Sequence, residues 1–565
     1  MTAAGTGSQM PRRFLRDMPA LSSAWLERAA FALVFLGAAV IRFWFLNRQI
    51  WTAEAWVANS VTAGSWSEMF YYPSWLQTTP PLFLVLDRFA VGLLGVSNWS
   101  LRLVPFLFGL GSVVLVAVLS RRVFSLPLAL LCTSLVALSP PEVEYSKELK
   151  QYSGDAAATA LVLLVLWDYL ARPDRRRYGR MLLVFGLGLW LSHTVIMFLP
   201  LAACVLLFAA PPVAETARKG ILRAQILRAA GLTLLAGVLG SAEYVLFVRP
   251  NLTPLLLNYW KEGFPHFLSV REVFHFYAQN FAGLALYFFI GSETKTSLMG
   301  ALASSSGAVQ AVALVLSTAA LGGLAVRFRH SSRHRRVALL CGLPVLTLAA
   351  LNLVHQYPVG TRRVMLFLLP CVALGVTLVL ESVWVAMLAP VFDSKTRFVA
   401  AALGVVSVAA VLGASAKADR WRPYPEEDED CEAALRYLRS AVQPGDLVYI
   451  HASLEESAKL YVRLLNWKNP PIVYGNTGWP CCIRDQQAAT VTSGKAGLQR
   501  ELLELRAQAG GRTLWLLFTG RLAHWQQIQR NDPELLVNGL RDRGCAYQRR
   551  VLFPEVALHQ MSCRP

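Results

Sequence analysis

At 565 residues, with 55% hydrophobic and only 16% charged residues, the chain lies outside the composition of soluble globular domains. Its formal charge of +19 would suit a nucleic-acid partner, but from Arg420 onward 19 basic residues face 16 acidic ones, so the excess sits between apolar runs. Lys and Arg gathered in short loops mark the cytoplasmic face of a polytopic membrane protein, which excludes the nucleic-acid reading.

Arg12, Arg13 and Arg16 precede an apolar run that has no small-residue cleavage site after it, which predicts a cytoplasmic tail over 1–25 and a retained first helix over 26–46. With its flanks that run reaches the roughly 20 residues needed to cross a bilayer. The loop Trp51-Thr52-Ala53-Glu54-Ala55-Trp56, closed by Gln77-Thr78-Thr79-Pro80-Pro81, then emerges on the outer face. Residues 82–96 are apolar, short, and carry Asp87-Arg88, the pattern of a helix lying in the outer interface. Helices are expected over 101–119, 123–139 and 156–171, with an outer loop from Glu142 to Asp155. The stretch 181–211 is too long for one span and breaks at Ser192-His193, so it splits into two. A seventh helix over 229–248 leads to a long outer segment, 249–305, with partly apolar interfacial stretches, and four more helices are expected over 308–326, 337–354, 364–387 and 398–416.

Eleven crossings put every major basic cluster on one side and the C-terminus on the other. The expected fold is mainly α, a polytopic bundle of about eleven transmembrane helices over 26–420, with an extracytoplasmic α/β domain over 421–565. In that domain the pattern predicts helices over 431–440, 454–465, 498–508 and 533–543, and strands over 447–450, 512–518, 546–552 and 556–561. The acidic run Glu426 to Asp430 reads as a solvated helix start. If the domain lies outside the cytoplasm, Cys545 and Cys563 on the two terminal strands are the expected disulfide.

Polar residues gather in four outer segments. Glu54, at a membrane surface, can meet a water-borne and a lipid-borne group together, or can be an exposed acid beside an interfacial tryptophan belt. The stretch Glu144 to Asp155 crowds Lys147, Glu148, Lys150, Gln151 and Tyr152 where the chain enters a helix. Asp155 can serve as an N-cap, which leaves the two lysines and Gln151 unexplained. Tyr357 to Arg363 opens another helix, where Arg362 and Arg363 break the sidedness rule; guanidinium groups at a helix N-terminus suit phosphate and equally suit snorkelling to headgroups. His193, alone between apolar helices, reads as a structural residue or a site residue. No metal site is expected: His266 and His275 lack a carboxylate at ligand spacing, and adjacent Cys481-Cys482 do not suit one tetrahedral ion.

Taken in order, Trp51 to Trp56, Thr79-Pro80-Pro81-Leu82-Phe83, Ser100-Leu101-Arg102 and Tyr145 to Asp155 resemble the GT-C glycosyltransferases, and within them the bacterial group similar to dolichyl-phosphate-mannose-protein mannosyltransferases. The resemblance implies inverting transfer of a sugar from a polyprenyl-phosphate carrier to a lipid, glycan or protein acceptor outside the cytoplasm. It also implies an inner-membrane location, and no cofactor is expected, with a divalent metal left open. In that family the first outer loop carries an Asp-Glu pair; here Ala53 stands at the Asp position, and Glu54 is the expected catalytic base. Lys147, Glu148, Lys150, Gln151, Tyr152, Asp155, His193, Tyr357, Arg362 and Arg363 are the expected substrate-binding residues. The competing classes are a transporter or flippase, which predicts mid-span polar residues and internal repeats, and a noncatalytic envelope-assembly protein.

Overall fold

The computed structural model describes residues 23–72, 78–208, 215–252, 260–265, 269–290, 331–360, 362–383, 429–475, 493–519 and 532–565, with Leu256 and Phe328 singly between them. The expected helices over 308–326 and 398–416, the N-terminal tail, and Cys481-Cys482 lie outside the described residues.

The first helix, α1 (Ser23–Phe43), carries Arg42 wholly buried near its end. A buried cation is tolerated where carbonyls replace water, and Arg42 Nη1 donates to the Ala137 carbonyl at 2.7 Å. In the outer loop lie α2 (Thr52–Val61), α3 (Trp66–Phe70) and α4 (Pro81–Leu94). In α4 the pair that suggested an interfacial helix divides: Arg88 lies 4.8 Å over the Trp66 ring, whereas Asp87 is buried with both oxygens unpartnered. Burial without a counter-charge pushes the Asp87 carboxyl well up.

A 3₁₀ turn, Ser100–Arg102, opens α5 (Leu103–Val123), and α6 (Leu126–Ala137) and α7 (Pro140–Tyr145) follow. Gly109 permits the close approach of α5 to the second outer loop: a Cβ there would stand 2.4 Å from Ser146 Cβ. After α8 (Tyr152–Ala171), α9 (Arg175–Leu191) ends at the expected break, a 3₁₀ stretch over His193–Phe198 leads into α10 (Leu199–Phe208), and α11 spans Glu215–Glu243. Arg175 to Arg180 and Arg223 to Arg228 are therefore helical rather than looped, because arginine is a good helix former and nothing at these points stops the helix.

Within the outer segment expected to hold partly apolar interfacial stretches, the structure has a 21-residue helix, α12 (Val270–Ile290). The Tyr277 hydroxyl ties it to α13 (Ser332–Leu353) through the Ala349 carbonyl and Asn352 Oδ1, at 3.1 and 2.9 Å. A 3₁₀ stretch, Arg362–Leu368, runs into α14 (Leu369–Val383). Among the described residues five helices are long and apolar enough to cross a membrane: Ser100–Val123, Tyr152–Ala171, Gly220–Asn251, Ser332–Leu353 and Arg363–Ser382.

The C-terminal unit holds α15 (Cys431–Ala441), α16 (Glu455–Leu464), α17 (Ser493–Gln508) and α18 (Asp532–Arg541) around five strands. These are β1 (Leu447–Ile450), β2 (Ile472–Tyr474), β3 (Thr513–Thr519), β4 (Cys545–Phe553) and β5 (Val556–Cys563), in the order β2-β1-β3-β5-β4. β1 pairs parallel with β2 and β3, and β5 pairs antiparallel with β3 and β4. Strand β2, three residues long, escapes the sequence pattern because Pro470-Pro471 before it reads as loop. Cys545 stands opposite Cys563 and is disulfide-bonded to it, as expected. One face of the sheet packs on α17 and α18; the other shares a core with α15, α16, α2 and α4, a buried cluster that includes Trp515, Val448, Val57 and Phe83.

Candidate active site

Glu54 lies in the first turn of α2 and is wholly buried. Arg102, from the turn that opens α5, meets it with two nitrogens: Nε donates to Oε1 at 2.8 Å and Nη2 to Oε2 at 2.5 Å. The Leu149 amide adds a third bond to Oε1 at 2.6 Å. Arg102 spends its remaining N–H groups on the chain between α1 and α2, donating to the carbonyls of Leu46 (3.2 Å), Gln49 (2.7 Å) and Arg48. Burial by itself pushes the Glu54 carboxyl up; Arg102, Arg48 and the Leu149 amide outweigh it and hold the group below the ordinary carboxylate range. Both oxygens are thus engaged and no solvent reaches them. Such a carboxylate joins the first loop, α5 and the second loop, and it is poorly placed to take a proton from an acceptor.

The second loop runs along this joint. Lys150 Nζ donates to the Ala53 carbonyl at 2.5 Å, and Glu148 lies 3.6 Å from Arg48, all three side chains nearly buried. Lys147 is 6% exposed, and its ammonium makes no hydrogen bond or ion pair among the described residues. Burial first and Arg363 second push the Lys150 amine down to about 7, and burial first and Arg48 second push Lys147 down to about 8. Arg363 therefore faces Lys150 from the start of the α14 stretch, within 5.8 Å of the Trp260 ring. The side chain of Arg362 lies outside what the structure describes.

At the mouth of α8, Gln151 is the N-cap residue but forms no side-chain cap, and its Oε1 is buried without a partner. Asp155 does not cap the helix; it sits one turn in, 6% exposed, with Oδ1 unpartnered and Ser192 close by, the Ser192 hydroxyl lying 2.8 Å from Thr194 Oγ1. His193 stands in electrostatic reach of Asp155, and its Nδ1 lies 2.9 Å from Glu243 Oε1. The Tyr357 hydroxyl donates to the Val364 carbonyl at 2.7 Å, and Tyr152 packs edge-on to Tyr145 at 5.0 Å. Gln151, Asp155 and Thr159 recur every four residues on one face of α8, and each has a buried oxygen with no partner.

The structure brings Glu54, Lys147, Glu148, Lys150 and Arg363 together. It sets Gln151, Asp155, His193 and Tyr357 beside them along α8. The residue that sequence reasoning left without a role is Arg102. An arginine opening an otherwise apolar helix needs a buried counter-charge, and that signal alone points to a carboxylate such as Glu54. Among the described residues no three His, Cys, Asp or Glu side chains gather where a metal ion would be held.

Residues 78–239 match the family model described as dolichyl-phosphate-mannose-protein mannosyltransferase. Across 96% of this chain and 98% of the other, the structure superposes on that of ArnT from Cupriavidus metallidurans in the apo state, with a TM-score of 0.52 at 13% identity. The chain has the fold of ArnT. The same ArnT bound to undecaprenyl phosphate gives a TM-score of 0.51 at 13% identity, over 96% of this chain and 98% of the other. No curated protein matches the sequence. The family model covers residues 78–239, and the superposition shows the fold the chain shares with ArnT.

Proposed function

We propose that this GT-C protein transfers a sugar, with inversion, from a polyprenyl-phosphate carrier to an acceptor on the extracytoplasmic face of the inner membrane. The observation that carries the reading is the crowding of buried and partly buried cations from separate outer segments, Arg363 beside Lys150 and Arg48 beside Lys147, along the second loop. Buried cations that repel one another are stabilised by an anion between them, and a leaving phosphate is such an anion. Undecaprenyl phosphate bound to ArnT supports the choice of carrier. Arg363→Ala is expected to weaken undecaprenyl phosphate binding by about 1.5–3 kcal/mol, the worth of one charge-assisted hydrogen bond, or roughly ten- to hundredfold in Kd. An unchanged Kd leaves Arg363 as a headgroup anchor.

The same residues fix the sign of a pH dependence. An anion binds the protonated amine, so above the free-state values of about 7 for Lys150 and about 8 for Lys147 binding must take up a proton. A phosphate monoester, with its second pKa near about 6, is already dianionic there. Carrier affinity should therefore fall from pH ~7 to pH ~9, approaching tenfold per unit where one lysine titrates. A Kd that is flat or improves over that range removes the lysines from the phosphate site.

Because Glu54 is locked to Arg102, we assign the proton-accepting role to Asp155, whose Oδ1 has no partner and which lies close to Ser192 and His193. The residues named would hold carrier and acceptor without a cofactor, and dependence on a divalent ion is tested by chelation. We place the C-terminal unit over 421–565 outside the cytoplasm, a placement the Cys545–Cys563 disulfide supports. A cysteine replacing exposed Leu552 should be labelled by an impermeant maleimide in spheroplasts; protection until lysis contradicts the topology. A second reading, a noncatalytic carrier-binding protein, is favoured by Ala53 at the acidic position and by the closed Glu54–Arg102 pair.

A further inference from the structure

The helix that holds Ala53 and Glu54 takes no cap from its own flank, since the Trp51 side chain makes no capping bond to the first turn of α2. An acceptor arrives from 377 residues away: the Thr52 amide donates to Glu429 Oε2 at 3.2 Å, and Glu429 Oε1 accepts from Thr519 Oγ1 at 3.0 Å. The Thr52 hydroxyl donates to the Ser453 carbonyl at 3.2 Å and lies 3.1 Å from Ser457 Oγ. At the other end of α2, Asn59 Nδ2 donates to the carbonyl and to the carboxylate of Glu456, each at 2.9 Å. Arg463 Nη2 returns to Asn59 Oδ1 at 2.5 Å and to Thr62 Oγ1 at 3.0 Å. Glu429, expected to be solvated, is 5% exposed, as is Glu456, because both face α2 and not water.

The place of this contact in the α/β unit is informative. Strand β1 is flanked by β2 on one side and β3 on the other, and open α/β sheets take ligands outside the carboxyl ends of the strands where the chain so reverses direction. Ser453 lies just past β1 and Thr519 ends β3, so here the first turn of α2 reaches that edge. The position where such a fold ordinarily binds a small molecule holds a piece of the membrane part of the same chain.

We infer that the C-terminal α/β unit is a clamp on the candidate site, with Glu429 a positioning residue that caps α2 and so fixes the backbone of Ala53 and Glu54. Ala53 presents the carbonyl that holds Lys150 Nζ, and Glu54 holds the Leu149 amide, so a displaced first turn moves the second loop as well. The clamp itself stands on the contacts; its effect on ligand binding rests on the proposed phosphate role of Lys150.

The test uses the full chain in nanodiscs, with hydrogen exchange of peptides covering 51–61 and the Kd for undecaprenyl phosphate as readouts. Glu429→Ala should raise exchange in that stretch at least tenfold and weaken undecaprenyl phosphate binding at least threefold. Glu429→Gln, which keeps an oxygen for Thr52 and an amide that Thr519 Oγ1 can accept from, should restore both. Exchange in 51–61 equal to the parent's, or raised evenly over the whole protein, overturns the clamp. Should Glu429→Ala not accumulate, Thr519→Val, which removes only the hydroxyl that orients Glu429, is read by the same criteria. A parent that does not bind undecaprenyl phosphate sinks the functional reading, and the exchange comparison still decides the clamp.

Discussion

Arg102→Ala is expected to cost about 3–5 kcal/mol of stability, because it leaves the Glu54 carboxylate charged, buried and stripped of its partner. The loss falls on several elements at once. Arg102 also holds the carbonyls of Leu46, Arg48 and Gln49, so the connection from α1 to α2 loses its anchor together with the salt bridge. Glu54→Gln should cost less than Arg102→Ala, since an amide can still accept from Arg102 and from the Leu149 amide, although it leaves the guanidinium without a counter-charge. The double replacement Glu54→Met with Arg102→Met should recover a good part of the loss, as exchanging a buried pair for apolar side chains often does. Chemical or thermal unfolding in detergent of the parent and the three variants reads this directly. If Arg102→Ala matches the parent, the joint is not what holds the first loop.

Asp155→Asn is expected to lower sugar turnover by about 10²–10⁴-fold, the usual worth of a positioned general base. The amide keeps the size of the carboxyl and an accepting oxygen, so folding and undecaprenyl phosphate affinity should stay near the parent's. Glu54→Gln supplies the contrast. If Glu54→Gln abolishes transfer in a protein whose unfolding midpoint is unchanged while Asp155→Asn transfers normally, the roles assigned to the two acids are reversed. Ala53→Asp, which places an acid where the resembling family carries one, is expected to be tolerated at its partly exposed position and to raise transfer if the first loop borders the acceptor.

Much of the fold is legible in the residues. The break at Ser192-His193, the helices of the C-terminal unit and four of its five strands follow from apolar periodicity and turn residues, and the Cys545–Cys563 pairing follows from two neighbouring strands. Helix α12 is hard to see because Arg271, Glu272 and His275 interrupt its apolar pattern within a segment read as outer and only partly apolar. The site was legible in position and not in wiring. Glu54, Lys147, Lys150 and Arg363 stand out as polar groups at one end of apolar helices. That Glu54 is spoken for by Arg102 depends on a contact between residues 48 positions apart, which no local pattern carries. The same holds for Glu429: an acid in an acidic run reads as solvated, and only the docking of α2 against β1 and β3 turns it into a cap.

The most direct measurement is donor consumption. Purified full-length protein in nanodiscs, offered a panel of radiolabelled polyprenyl-phosphate sugars with an extract of envelope acceptors, is followed for release of undecaprenyl phosphate and movement of the label. The account predicts that the parent consumes at least one donor, that Arg363→Ala slows it through a raised KM, and that Asp155→Asn abolishes transfer while leaving carrier binding intact. A folded parent that binds undecaprenyl phosphate yet moves no sugar from any carrier contradicts the transferase reading and leaves a noncatalytic carrier-binding protein.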